Sequence, residues 1–78
     1  MREKAMRVIV TFHTTAEAIA TETMCRVRGI NGKLISAPRS LSADCGIAWS
    51  SAPEQRTALE RGLAEERIEI AGIFEMLR

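Results

Sequence analysis

The sequence predicts an α+β fold: a two-layer sandwich in which two helices cover one face of a four-stranded sheet. Three observations lead there. Met6 to Phe12 alternates strictly between two faces, the period-two mark of a half-buried strand. Two later segments each open on a capping-box pattern, a hydroxyl residue followed three positions on by Glu. Between and after them, short apolar runs are separated by glycine and proline.

In the first strand, Met6, Val8, Val10 and Phe12 point one way and Arg7, Ile9, Thr11 and His13 the other. Thr14-Thr15-Ala16-Glu17 opens the first helix, because hydroxyl and carboxylate satisfy orphan backbone donors reciprocally. The helix runs to about Arg28, and Gly29 stops it as a residue able to take positive φ. Lys33 to Ala37 is the second strand, ended by Pro38, which lacks a donor. Residues 39–44 form a polar loop, and residues 45–49 open the third strand. Ser51-Ala52-Pro53-Glu54 reads as a second capping box. The helix after it runs to about Arg67 with Leu59 and Leu63 inward, and Gly72 to Leu77 is the last strand.

The βαββαβ order is that of the ferredoxin-like split βαβ motif. Its first two strands run the same way, with the third antiparallel between them. The ends of both strands, the start of the first helix and the loop at 38–45 then share one end of the sheet. The face without helices, with Ile9 and Trp49 on it, is expected to be open, and a homodimer through that face is expected.

With 78 residues the chain is read as a single domain, 1–78. A chain this short buries roughly 60% of its unfolded surface, so any site is expected at an edge, a loop end or an interface. The net charge of +1 and three scattered aromatics, Phe12, Trp49 and Phe74, argue against a nucleic-acid partner. No apolar run has the length of a membrane span, and the first residues lack the apolar stretch of a signal peptide. A cytoplasmic protein is expected. Cys25 and Cys45, the only cysteines, are too far apart in sequence for a metal-ligand pair motif, so neither a metal nor a cofactor is expected. About 15 Å of helix separates Cys25 from the helix start, so a disulfide to Cys45 is not expected either.

The concentrated chemistry is the loop carrying Cys45. A cysteine in a polar segment before Gly46 reads as functional more readily than as a core residue. Arg39 after Pro38, the lone His13 and the helix N-terminus are its candidate neighbours; cations and helix termini lower a thiol pKa. Asp44 and Glu17 act in the opposite sense. Cys25 reads as core. Glu22 lies near an apolar helix face, where a carboxylate needs a partner; a loop donor is expected to supply it.

Taken together, His13-Thr14-Thr15, Ala18 to Glu22, Arg28-Gly29-Ile30, Ala37-Pro38-Arg39, Ser42-Ala43-Asp44-Cys45-Gly46 and Ile70 to Phe74 make the chain resemble a bacterial family of selenium/sulfur carrier-like proteins. The resemblance implies that Cys45 carries sulfur or selenium. Pro38, Arg39, Ser42 and Gly46 would be motif neighbours, Glu22 a helix match, and donor and acceptor proteins the partners. Two other readings remain open: a module binding a small anion or a protein with Cys45 structural, and an assembly domain using the open sheet face.

Overall fold

The computed structural model describes residues 5–41 and 46–77. Strand β1 (Met6–Thr11) leads into helix α1 (Thr15–Arg28), followed by β2 (Lys33–Ser36) and β3 (Ile47–Ser51). A single 3₁₀ turn (Pro53–Gln55) precedes α2 (Arg56–Glu65), and β4 (Gly72–Leu77) completes the chain. The sheet order is β2-β3-β1-β4 with every pair antiparallel, as the split βαβ reading requires.

The register decides the two faces. Val10 lies opposite Trp49 on β3 and Ile73 on β4, and Trp49 lies opposite Leu34 on β2. Side chains directly opposite one another share a face, so these residues form one stripe with Val8 and Phe12. That stripe meets Ala18, Met24 and Cys25 of α1, Ile30, and Leu59 and Leu63 of α2 in the core. Trp49 is therefore a core residue, 3% exposed, and not part of an open face. Ile9 does lie on the other face, opposite Ser50 and Phe74, yet it is fully buried. Arg7 donates to Ser50 Oγ at 3.0 Å on the same face.

Helix α1 begins and ends as its sequence dictates. Thr14 is extended and its Oγ1 accepts from the Glu17 N–H at 3.2 Å, while the Glu17 carboxylate accepts from the His13 N–H at 2.8 Å. At the other end Gly29 has φ +72°, and Ile30 N–H donates to Cys25 O at 2.8 Å. This pair of features is a Schellman stop.

Helix α2 departs from expectation at both ends. The box predicted at Ser51 does not form, because Ser51 is still in β3 and wholly buried. Its Oγ accepts from Trp49 Nε1 at 2.6 Å and donates to Asn31 O at 2.8 Å. The helix starts at Arg56 with no side-chain cap. It stops at Glu65 rather than Arg67, because Arg67 takes φ +54° and Ile68 N–H donates to Leu63 O at 2.9 Å. The stop is the glycine-type one with an arginine at the left-handed position, where a β-carbon is disfavoured.

The C-terminal turns of the two helices meet. A β-carbon on Gly62 would sit 2.5 Å from Met24 Sδ and 3.3 Å from Arg28 Cδ. Arg28 also bonds Glu65 at 2.8 Å and Glu66 at 3.3 Å. A helix C-terminus carries partial negative charge, so one cation serves two helix ends and two carboxylates.

Gly32 packs against the sheet more tightly than any side chain allows. A β-carbon there would lie 2.5 Å from both Ser51 Oγ and Trp49 Cζ2, and 2.6 Å from Ser50 O. Gly32→Ala should therefore destabilise the protein by about 1–3 kcal/mol, the usual penalty for overpacking. A fall in the urea midpoint with unchanged slope checks it.

Candidate functional site

Cys45 and Ser42 lie outside the described residues. The residues on either side of that segment are described and tightly specified. Ala37 N–H donates to Gly46 O at 2.9 Å, which closes the β2–β3 hairpin beyond its last strand pair. Leu41 N–H donates to Pro38 O at 3.0 Å, so Pro38 to Leu41 is a β-turn with Arg39 and Ser40 at its tip. Gly46 has φ +73°, a conformation in which a β-carbon would be strained by about 1–2 kcal/mol. Its glycine character is thus a backbone requirement of the residue that follows Cys45.

Arg39 is exposed, and among the described residues it pairs with no carboxylate. Thr11, Ala48 and Ile35 are level across β1, β3 and β2, so His13 and Arg39 both leave the same end of the sheet. Neighbouring strands are about 4.8 Å apart, which puts the two chain exits roughly 10 Å from each other.

His13 is engaged locally. Its Nδ1 lies 3.3 Å from Glu17 Oε1, the oxygen that also accepts the His13 backbone N–H. Partial desolvation would raise the Glu17 pKa. The hydrogen bonds from the His13 backbone and ring, its charge, and a bond from the Thr14 backbone together outweigh that and hold the carboxyl below its ordinary value of 4.5. An ionised carboxylate therefore sits on the N-terminal turn of α1 and compensates the helix dipole there.

The second cysteine has the opposite character from a reactive thiol. Cys25 is fully buried, a member of the core, and burial pushes its thiol up to about 11. At neutral pH its thiolate fraction is about a hundredfold below that of a cysteine at the reference value of 9.0.

The sequence reading expected a loop donor for Glu22; among the described residues its partner is instead on its own helix. Its carboxylate lies 3.7 Å from Arg26 one turn along α1, and the side chain is 40% exposed. It faces an open cleft against β2 that sequence reasoning missed, since the lining comes from three separate stretches of chain. Among the described residues no group of three or more His, Cys, Asp or Glu is placed to hold a metal ion. None of the described helices is long and apolar enough to cross a membrane.

Residues 7–75 match the family model described as "Putative Se/S carrier protein-like". Comparison with curated proteins and with solved structures finds no match.

Two outcomes follow from this geometry. In a Cys45→Ser protein the remaining thiol, Cys25, should resist a disulfide reagent while native and react fully once unfolded; labelling faster than global unfolding would contradict its burial. The second concerns Glu17. Its folded pKa lies below the unfolded value, so its charge contributes stability that is present above about pH 4.5 and lost as pH falls through the lowered value. Glu17→Gln keeps the cap but removes the charge. The stability gap between parent and variant, read from thermal melts, should shrink as pH falls below 4.5.

Proposed function

The chain belongs to the Se/S carrier protein-like family, and from that premise we propose that it accepts sulfur or selenium on Cys45 and hands it to an acceptor protein. The observation that carries the assignment to Cys45 is the burial of Cys25. Of two cysteines, one is locked in the core as a neutral thiol, which leaves the other for chemistry. Cys45 also falls within the matched residues, in the segment Ser42 to Gly46 that the family resemblance singles out.

The step is a thiol–persulfide exchange. The Cys45 thiolate attacks the outer sulfur of a donor persulfide. The donor's S–S bond breaks as a new one forms to Cys45, and the donor leaves as a thiolate. Transfer onward repeats the exchange, with an acceptor thiolate attacking the outer sulfur and Cys45 leaving. Neither step needs an oxidant or reductant, because one S–S bond replaces another. Selenium would occupy the outer position in the same way.

The surroundings suit a carrier. The α1 N-terminus already has its compensating carboxylate in Glu17, so the cation left to favour a Cys45 thiolate is Arg39, exposed at the turn and without a carboxylate partner among the described residues. Pro38 and Gly46 set the backbone on the two sides of the loop, and Ser42 is a hydrogen-bonding group within it. His13 serves by fixing the helix start at the same end of the sheet. The exposed Arg39, without a carboxylate partner among the described residues, also supports a second reading, in which the same end of the sheet binds an anion or a protein and Cys45 is structural.

Incubation with a cysteine desulfurase and cysteine, followed by intact-mass spectrometry, tests the proposal. A gain of one sulfur is expected that reductant removes, that Cys45→Ser abolishes and that Arg39→Ala slows. Absence of any Cys45-dependent gain overturns the carrier reading. Anion binding that persists in Cys45→Ala and is lost in Arg39→Ala would establish the second.

A further inference from the structure

An open cleft of about 260 Å³ lies between the C-terminal half of α1 and the start of β2. Glu22 and Arg26 line it from the helix and Lys33 from the strand, with Ile30 and Trp49 also in its wall.

Three properties bear on what it would hold. First, both charge signs are present at the exposed rim of the cleft, and no short ion pair ties them to one another. The Glu22–Arg26 contact is 3.7 Å long, and among the described residues Lys33 pairs with no carboxylate. Second, the apolar residues are rigid parts of the core: Ile30 is 7% and Trp49 3% exposed. Third, the wall is built in advance. The indole N–H, Ser51 Oγ and Asn31 O form a hydrogen-bonded chain at 2.6 and 2.8 Å that fastens the loop at Asn31 to the sheet. A preorganised wall lowers the ordering penalty of binding.

A simple anion would meet the Glu22 carboxylate, and a simple cation would meet Arg26 and Lys33. A small ligand bearing both charges on adjacent atoms satisfies all three. We infer that this cleft is a binding site for a free α-amino acid with an apolar side chain. Its ammonium group is taken by Glu22, its carboxylate by Lys33 and Arg26, and its side chain lies over the small part of Ile30 and Trp49 that the cleft wall exposes. This gives Glu22 a task that the carrier reading does not. The site uses neither Cys45 nor Arg39, so it stands or falls independently of sulfur carriage.

Trp49 is the only tryptophan in the chain and reports directly on the cleft. Its emission should be titrated with L-methionine, L-leucine and L-valine, and with N-acetyl-L-methionine and L-methionine methyl ester. A ¹⁵N–¹H shift map of the same titrations covers the case in which emission is silent. The expected result is a saturable change with at least one free amino acid, with shifts centred on residues 22, 26 and 30–33. Blocking either end of methionine, or Glu22→Gln, should weaken binding at least about tenfold, the scale of one lost charge-assisted contact. Cys45→Ser should bind unchanged. No saturable response by either readout up to about 10 mM, equal binding of the blocked forms, or binding indifferent to Glu22→Gln would overturn the inference.

Discussion

Burial of a single strand organises this protein. Val8, Val10 and Phe12 are all fully buried beneath the helices, and Ile9 and Thr11 on the opposite side are buried as well. From Val8 to Thr11, strand β1 is therefore enclosed on both faces and paired along both edges, by β3 and β4. At about 25 cal/mol per Å² of apolar surface, a run of fully enclosed Val, Ile and Phe side chains is the largest continuous gain open to so short a chain. Everything else is placed relative to it: α1 starts directly from its end, and the register of β3 and β4 decides which residues reach the core.

The ends of α1 show how local rules and long-range packing combine. Its start is a self-contained device in which Thr14, Glu17 and the His13 backbone satisfy one another. Its end is self-contained in hydrogen bonding, through Gly29 and Ile30, but not in charge. The last turn of α2 brings Glu65 and Glu66 to a place where two helix C-termini already converge, and Arg28 joins both carboxylates. The pairs are exposed, so they act more on how the helix ends are oriented than on total stability.

Of the two cysteines, the fold fixes the environment of Cys25. Cys25 on α1 is fully buried, and that burial holds its proton to about 11. Around the Cys45 segment the described flanks are a turn with an exposed arginine at its tip and a glycine in a left-handed conformation. Cys45 itself was legible only as a residue type in a motif. The fold adds to that by removing its competitor and by fixing the backbone on either side of it.

Much of the architecture was legible because its signals are local. Alternation in residues 6–12 marks a strand, the Thr14–Glu17 box and Gly29 mark a helix, and both rest on neighbours within four positions along the chain. What only the tertiary structure decided depends on partners far apart in sequence. Ser51 has the local appearance of a cap, but the Asn31 carbonyl twenty residues away and the Trp49 indole claim its hydroxyl. Trp49 itself could have taken either face; opposite Val10 and Leu34, it joins the core. The cleft of Glu22, Lys33 and Trp49 exists only where α1, β2 and β3 meet. Periodicity and caps are written in the chain because they follow from backbone geometry over a few residues. Register and shared surfaces are not, because they are settled by which distant side chains exclude water together.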